Sequence, residues 1–125
     1  MRSPIKVLIA EDELLIALAL EAALHDLGYD VVGVASTAPE AVEMAARKDV
    51  GLAVIDVRLA DGTDGLWAVR RIIETRGIPV VVCSACAKAS DAHAAGAGAF
   101  LPKPYTAPQL ISALESVFPA DHCAA

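Results

Sequence analysis

A carboxylate stands at the end of an unbroken apolar run in the middle of the chain. Residues 52–55 are all apolar, Asp56 follows them, and the chain then turns polar. A short apolar run bounded by turn residues is typical of a buried strand in a parallel sheet. Open α/β sheets place their ligand sites at the carboxyl ends of the strands. Asp56 is therefore a candidate for chemistry at such an edge.

A second acidic cluster follows a similar run near the N-terminus. Residues 5–10 are mostly apolar, and Glu11, Asp12 and Glu13 come directly after them. If the two runs form neighbouring parallel strands, their acidic ends converge and repel one another unless a cation offsets the charge. Mg²⁺ binds through one or two carboxylates, keeps several waters and accepts a phosphate oxygen. The pattern predicts a magnesium site that includes Asp56.

Two further polar side chains follow predicted strands. Lys103 stands between two prolines after the short apolar run 99–101, and a cis Lys103–Pro104 bond is one expectation there. Ser84 ends another apolar run. Each residue alone has an ordinary structural explanation, as a turn former or as a solvated charge. Together with carboxylates and a metal, a lysine and a hydroxyl suit phosphoryl transfer to a carboxylate nucleophile.

The remaining pattern predicts the elements that position these side chains. Strands are expected at about 5–10, 31–35, 52–56, 78–83 and 99–101. Helices are expected at about 14–27, from Thr37 to Lys48, from 65 to near 77, and from Thr106 to Phe118. The sequences 37–40 and 106–109 predict capping boxes, whereas 87–98 offers no large apolar residue to anchor a helix. The alternation predicts a parallel sheet covered on both faces.

The composition limits the function classes. The chain has 125 residues, 56% of them hydrophobic, and a net charge of −6. This predicts one domain, with a core at 5–118 and a frayed tail at 119–125. An acidic domain offers no basic stripe for nucleic acid, and no apolar run is long enough to span a membrane. Three cysteines without an export signal fit reduced thiols, so we expect a soluble cytoplasmic protein.

Four segments together carry a resemblance to a known family. They are Val-Leu-Ile-Ala-Glu-Asp-Glu at 7–13, Val-Ile-Asp at 54–56, Val-Val-Cys-Ser-Ala at 81–85 and Phe-Leu-Pro-Lys-Pro at 100–104. In this order and spacing the chain resembles the receiver domain of two-component response regulators, over about 5–118. The resemblance implies a flavodoxin-like (βα)5 doubly wound α/β sandwich, with a five-stranded parallel sheet in the order 2-1-3-4-5.

The resemblance also implies a role for each site residue. Asp56 would be the phosphoacceptor, and Asp12 and Asp56 would bind Mg²⁺ directly. Glu11 would act directly or through water, and the main-chain carbonyl of Arg58 would supply another ligand. A site of this type needs Mg²⁺ as its cofactor.

Three more residues receive roles in the switch that the resemblance implies. Ser84 and Lys103 would bind phosphoryl oxygens, and Phe100 would be the aromatic residue that turns inward when Ser84 moves. An acyl phosphate adds charge and strong acceptors that a hydroxyl and an ammonium can follow.

Two departures from the family pattern affect the expected shape. Gly65 lies nine positions after Asp56, one more than is common, and Ala60 stands where many members have proline. Lys103 lies 19 positions after Ser84, about three fewer than usual. We therefore expect a reshaped loop beside the metal and a short or irregular fourth helix.

The expected partners follow from the resemblance. A histidine kinase or a His phosphotransfer protein would be the donor. A downstream protein would receive the signal, or a homodimer would form through the face made by the fourth helix, the fifth strand and the fifth helix. A stand-alone receiver of this kind is a phosphoacceptor or phosphate sink, not an enzyme. Two alternatives stay open: a phosphate-independent docking module, and a haloacid-dehalogenase-like phosphatase suggested by the Asp-Gly-Thr sequence at 61–63.

Overall fold

The computed structural model describes residues 4–47 and 49–118, which contain one parallel sheet. Its strands are β1 (Lys6–Ala10), β2 (Asp30–Ala35), β3 (Leu52–Asp56), β4 (Val80–Ser84) and β5 (Ala99–Pro102). All neighbouring strands pair in parallel, in the order β2-β1-β3-β4-β5. The predicted α/β fold class and strand order are confirmed, and the central strand β3 has the predicted bounds.

Within these described ranges, five helices cover the two faces of the sheet. They are α1 (Leu14–Asp26), α2 (Ala38–Arg47), α3 (Gly65–Arg76), α4 (Ala89–Ala94) and α5 (Ala107–Val117), and a 3-10 turn lies at Ala60–Gly62. Successive side chains of a strand point to opposite faces. Leu8 therefore joins the core under α2, α3 and α4, and Ile9 joins the core under α1 and α5. No helix in the described ranges is long and apolar enough to cross a lipid bilayer.

The element boundaries differ slightly from the predicted ones. β4 begins at Val80 instead of 78 and extends to Ser84, so the hydroxyl lies on the last residue of the strand. Pro79 lies just before β4, where its missing N–H costs no ladder bond. The predicted helix end at Lys48 and the predicted tail at 119–125 lie outside the described residues.

The two predicted capping boxes have different outcomes. At α5 the box is complete: Thr106 Oγ1 accepts from the Gln109 N–H at 3.3 Å, and Gln109 Oε1 accepts from the Thr106 N–H at 2.8 Å. At α2, Thr37 Oγ1 accepts from the Glu40 N–H at 3.2 Å. The reciprocal bond to Thr37 was wrong, because the Glu40 carboxylate accepts from the Ser36 N–H at 2.7 Å. The glutamate therefore reaches one residue further back than the box predicts.

The fourth helix is short, as the sequence predicted. α4 has six residues, and its buried residue is Ala92. An alanine buries little apolar area, and most helical stability in proteins comes from packing an apolar face. Because no large apolar side chain of α4 is buried, the helix ends after about one and a half turns.

Candidate functional site

The register of β1 and β3 brings the two acidic strand ends together. Ala10 pairs with Ile55, so Glu11 and Asp56 follow on neighbouring strands. Carboxylate oxygens of Glu11, Asp12 and Asp56 lie within 4.8 Å of one another. The side chain of Glu11 is buried and that of Asp56 is 12% exposed, whereas Asp12 is exposed. The structure thus gathers the three carboxylates that the sequence identified as candidate metal ligands.

Lys103 reaches the same cluster from the end of β5. Its backbone N–H donates to the Ser84 carbonyl at 2.9 Å, which fixes the residue against the end of β4. Its ammonium donates to Glu11 Oε1 at 2.6 Å and to Asp56 Oδ2 at 2.7 Å. The Lys103–Pro104 peptide bond is cis. One cation therefore bridges the carboxylates at the ends of β1 and β3.

The electrostatics of this bridge set the charge states. Burial raises the pKa of Glu11, although hydrogen bonds from Lys103 and from the Glu13 N–H oppose that shift. Burial alone would lower the pKa of Lys103. The hydrogen bonds and the attraction of Asp56 and Glu11 outweigh it and raise that pKa above its usual range. Lys103 is therefore a permanent cation, and Glu11 holds its proton more tightly than an exposed glutamate.

The donor set fits a hard divalent cation. All three carboxylates offer oxygen, and oxygen ligands are those that Mg²⁺ and Ca²⁺ prefer. Lys103 offsets one unit of the cluster's negative charge, which leaves a negative site. A partly exposed Asp56 and an exposed Asp12 allow the ion to keep waters, as Mg²⁺ does. The role of these residues as ligands stays a prediction.

Ser84 lies beside Lys103 on the neighbouring strand. It is 3% exposed, and its Oγ accepts from the backbone N–H of Cys86 at 3.0 Å and of Ala87 at 2.8 Å. These two bonds use the lone pairs and leave the hydroxyl proton free to donate. In this arrangement Ser84 holds the β4–α4 loop.

Phe100 occupies the predicted place on β5. It is partly buried, pairs in register with Val82, and packs against the core under α2, α3 and α4. It also lines a surface depression between α4 and α5, together with Ala89, His93, Gln109, Ser112 and Ser116. A movement of this ring would therefore change the surface between α4 and α5.

The loop after Asp56 folds back on itself. The Arg58 N–H donates to Asp56 Oδ1 at 3.2 Å, and Arg58 forms an antiparallel bridge with Asp64. The Gly65 N–H donates to the Val57 carbonyl at 2.7 Å and closes the base of the excursion. These bonds make the segment after Asp56 a closed loop. The side chain of Arg58 is exposed and its backbone N–H orients the Asp56 carboxylate.

Two residues hold this loop in a way that the sequence did not predict, and they are Thr63 and Ser36. The Thr63 hydroxyl accepts from the Ala38 N–H at 3.0 Å and donates to the Ala60 carbonyl at 2.7 Å. The Ala60 N–H donates to the Ser36 carbonyl at 2.8 Å. The Asp-Gly-Thr sequence at 61–63 therefore serves a turn that is attached to α2. Bonds to a backbone carbonyl, such as that of Ser36, leave no signal in the sequence.

Gly65 was identified only as a helix start, yet its lack of a side chain shapes the site. A Cβ at this position would lie 2.0 Å from the Asp56 carbonyl oxygen and 2.8 Å from the Val57 Cα. Real Cβ atoms do not approach so closely, so any side chain would force the loop away. The start of α3 can lie directly against Asp56 only because residue 65 is glycine.

The two cysteines near β4 are free thiols in different surroundings. Cys83 is 3% exposed, and burial raises the pKa of its thiol to about 12. Such a thiol carries almost no thiolate at neutral pH and is inert. Cys86 is exposed in the loop that Ser84 holds. The short Cys-x-x-Cys sequence is consistent with small residues at a strand end.

An apolar groove of about 590 Å³ adjoins the carboxylate cluster. It runs between α1 and the β5–α5 junction, and its larger lining residues are Leu15, Ile16, Leu20, Pro104, Tyr105 and Leu110. The outer side of α1 adds exposed leucines: Leu14 is 70% exposed, Leu15 81% and Leu18 50%. Large apolar residues clustered in this way form an exposed apolar surface next to the carboxylate cluster.

The chain matches a protein-family model. The family described as the response regulator receiver domain matches residues 7–115. The transcriptional regulatory protein PdtaR of Mycobacterium tuberculosis is 40% identical over 115 residues, which are 90% of this chain and 56% of that protein. The phyllosphere-induced regulator PhyR of Methylorubrum extorquens is 47% identical over 81 residues, which are 64% of this chain and 30% of that protein. The chain therefore spans between about a third and somewhat more than half of the length of these relatives.

Solved structures agree with the fold. The solution NMR structure of the PhyR receiver domain from Erythrobacter litoralis superposes with a TM-score of 0.80 at 30% identity. The alignment covers 92% of this chain and 90% of that chain. The similarity extends over nearly the whole of both chains.

Proposed function

This chain belongs to the response regulator receiver family, and from that membership we propose that Asp56 accepts a phosphoryl group from a phosphorylated histidine. The donor would be a histidine kinase or a His phosphotransfer protein. The observation that carries the proposal is the convergence of Lys103 and two further carboxylates on Asp56. Receiver domains are signalling domains, and we propose no turnover of a separate substrate.

The transfer needs one bond made and one broken. An Asp56 oxygen forms a bond to phosphorus while the bond from phosphorus to the donor imidazole nitrogen breaks, and its electron pair stays on that nitrogen. Lys103 already lies 2.7 Å from Asp56 Oδ2, so its ammonium can pass from that oxygen to an incoming phosphoryl oxygen. A carboxylate nucleophile at a strand end, beside a fixed cation, suits this chemistry.

Four groups of the chain would hold Mg²⁺. These are the carboxylates of Asp12 and Asp56, that of Glu11 directly or through water, and the main-chain carbonyl of Arg58. When bound, the ion would screen the charge on the phosphoryl oxygens during transfer. The exposure of Asp12 and the 12% exposure of Asp56 support an entry route from solvent.

The response would begin at Ser84. An acyl phosphate on Asp56 adds strong acceptor oxygens, and the Ser84 hydroxyl has a proton free to donate to them. A turn of this hydroxyl toward the phosphoryl group would release Cys86 and Ala87 and loosen the β4–α4 loop. Phe100, packed beside α4, would take up the space that this movement opens.

The surface around the site supports a protein donor. A donor imidazole that approaches Asp56 brings its own protein surface over Leu15, Pro104 and Tyr105, which line the apolar groove. Burial of exposed leucine on α1 would supply much of the affinity. We place this exchange in the cytoplasm, where free thiols such as Cys83 and Cys86 stay reduced.

We propose two alternative ways in which this domain would act on a partner. One is a change in the α4-β5-α5 face that a downstream protein or a second copy of the chain would bind. The other is a phosphate-independent docking module, which the six-residue α4 favours because a short helix offers a small moving surface. The phosphatase interpretation has lost its support, since the Asp-Gly-Thr sequence that suggested it forms the turn attached to α2.

The fluorescence of Trp67 tests this proposal. Trp67 lies in the first turn of α3, next to the loop that follows Asp56, and is 43% exposed. We expect its emission to change with Mg²⁺, and again with a small phosphodonor, in the wild type and in Asp61→Asn. Asp12→Asn should lose the Mg²⁺ response. A chain whose Trp67 emission responds to neither addition, and which carries no phosphoryl adduct, would be a docking module.

A further inference from the structure

We propose that Thr63 is a positioning residue for the site, because its hydroxyl ties the loop after Asp56 to the first turn of α2. This inference rests on the proposed function. The Thr63 hydroxyl stands between two backbone groups: it accepts from the Ala38 N–H at 3.0 Å and donates to the Ala60 carbonyl at 2.7 Å. A hydroxyl that makes both bonds holds a loop and a helix in one geometry.

The tether reaches the site through a short series of backbone bonds. The Leu59 N–H donates to the Thr63 carbonyl at 3.3 Å, and Arg58 is bridged to Asp64, so both strands of the loop move together. The Arg58 N–H donates to Asp56 Oδ1 at 3.2 Å. A displacement of Thr63 therefore shifts the backbone of Arg58, whose amide orients Asp56 and whose carbonyl is the proposed metal ligand.

The junction of β2 and α2 receives a second bond from the site. The Glu11 N–H donates to the Ala35 carbonyl at 2.9 Å, and the Ala60 N–H donates to the next carbonyl, that of Ser36, at 2.8 Å. The consecutive carbonyls of Ala35 and Ser36 thus hold the segment that begins at Glu11 and the loop that follows Asp56. Leu59 packs this loop against the same junction, because its side chain is 6% exposed in the core under α2.

The Thr63 side chain bonds to backbone groups and not to the carboxylate cluster, which distinguishes this role from catalysis. The Thr63 side chain contacts α2 and the loop backbone, and it lies seven positions after Asp56. The role we assign is to hold the Arg58 carbonyl and Asp56 in the arrangement that Mg²⁺ needs. Saturating Mg²⁺ should therefore compensate for loss of the tether, because binding of the ion restores that arrangement.

Two substitutions at Thr63 separate the hydroxyl from the shape of the side chain. Thr63→Val keeps the shape and removes both hydrogen bonds, whereas Thr63→Ser keeps the hydroxyl. Thr37→Val is the matched control, because it removes a hydroxyl that caps the same helix end through the Glu40 N–H and leaves the loop intact. All three are compared with the wild type by urea denaturation to correct for stability.

The first readout is Mg²⁺ affinity from Trp67 fluorescence, without any phosphodonor. We expect Thr63→Val to weaken it by about fivefold to tenfold, the equivalent of one lost hydrogen bond, and Thr63→Ser and Thr37→Val to stay within about twofold. At saturating Mg²⁺ the phosphorylation rate of Thr63→Val should return to that of the wild type. Equal loss of affinity in Thr63→Val and Thr37→Val would overturn the proposal.

The second readout does not depend on metal or phosphate. Amide spectra of the apo chain should show shifts at Arg58 and Leu59 in Thr63→Val, and none there in Thr37→Val. Unchanged Arg58 and Leu59 amides in Thr63→Val would refute the positioning role. If the wild type itself bound no Mg²⁺ and took no phosphoryl group, the proposed function would fail, and these amide shifts would still decide the question for Thr63.

Discussion

The ammonium of Lys103 lies 2.7 Å from the Asp56 carboxylate, across 47 positions of sequence. The same ammonium lies 2.6 Å from Glu11, so one lysine holds the ends of β1, β3 and β5 at a single point. The lysine side chain is 17% exposed, and the two carboxylates are 4% and 12% exposed. The ion pair is therefore shielded enough from solvent to matter for both stability and chemistry.

Lys103→Met should destabilise the metal-free protein. The change leaves three neighbouring carboxylates without their cation, and we expect the free energy of unfolding to fall by about 2 kcal/mol at neutral pH. Mg²⁺ should recover more stability in this variant than in the wild type. Urea denaturation in chelator and in Mg²⁺ measures both effects.

Lys6→Met serves as the control for the Lys103 experiment. Lys6 pairs with Asp49 at 3.7 Å, but both side chains are well exposed, at 43% and 89%. Exposed pairs contribute little, so this variant should match the wild type. A Lys103→Met protein that is as stable as the wild type in chelator would show that the bridge does not offset carboxylate repulsion.

The raised pKa of Glu11 predicts a pH dependence of metal binding. Protons compete with Mg²⁺ for this carboxylate, and burial makes the protonated form persist to higher pH than in an exposed glutamate. The apparent Mg²⁺ affinity should fall as the pH is lowered, and the fall should begin at a higher pH than the ordinary pKa of a glutamate would give. Glu11→Gln should weaken Mg²⁺ binding and flatten this dependence, as Trp67 fluorescence would measure. An identical slope in both proteins would remove Glu11 as the titrating group.

The same shift has a defined effect on folding. Because the pKa of Glu11 is higher in the folded chain, the folded state binds this proton more tightly than the unfolded state. The contribution of Glu11 to the free energy of unfolding is therefore fully present below the pKa of glutamate in the unfolded chain. It is lost as the pH rises through the higher pKa of the folded chain. The pKa of Lys103 is also raised on folding, so its contribution has the same sign, but it is present throughout neutral pH and is lost only in the alkaline region.

Phosphorylation should loosen the loop that Ser84 holds. If the hydroxyl turns toward the phosphoryl group, the amides of Cys86 and Ala87 lose their acceptor and exchange faster with solvent. Ser84→Ala should show fast exchange at both amides before phosphorylation and little further change after it. Hydrogen exchange followed by NMR tests this. Unchanged protection in a wild-type chain that carries the phosphoryl group would rule out the movement of Ser84.

Gly65→Ala should disrupt the fold beside the site. The added methyl group would lie 2.0 Å from the Asp56 carbonyl oxygen, so the loop must move, and we expect a loss of at least about 3 kcal/mol. Gly51→Ala is the control, because its Cβ would come no closer than 3.4 Å to a side-chain carbon of Ile5. That variant should stay within about 1 kcal/mol of the wild type in urea denaturation. Equal stabilities for the two variants would contradict the close approach of α3 to Asp56.

Much of the fold could be predicted because its signals are local. The run 52–56 is apolar up to its carboxylate, and Thr106 with Gln109 forms the box that the sequence indicates. The strand order came from a family resemblance, since local periodicity does not specify which strands are neighbours. The wrong capping bond at Thr37 shows the limit of local rules, because the Glu40 carboxylate accepts from the backbone N–H of Ser36 instead.

The carboxylate cluster could be predicted as a set, but its internal arrangement could not. The residue types at the strand ends predicted that Lys103 lies near Asp56. Its second bond, to Glu11, depends on the register of three strands. The sequence at 61–63 gave no signal for the tethering role of Thr63, because its partners are the backbone groups of Ala38 and Ala60, which every residue carries. Gly65 is explained only once the path of the loop over Asp56 is known.

The central claim is that Asp56 accepts the phosphoryl group, and intact mass measures it directly. The wild type is incubated with a small phosphodonor, with and without Mg²⁺, beside Asp56→Asn and the control Asp61→Asn, which changes an exposed carboxylate in the same loop. We predict one phosphoryl adduct in the wild type and in Asp61→Asn, dependent on Mg²⁺ and absent from Asp56→Asn. A folded wild-type chain without an adduct, or an adduct that persists in Asp56→Asn, would contradict the account.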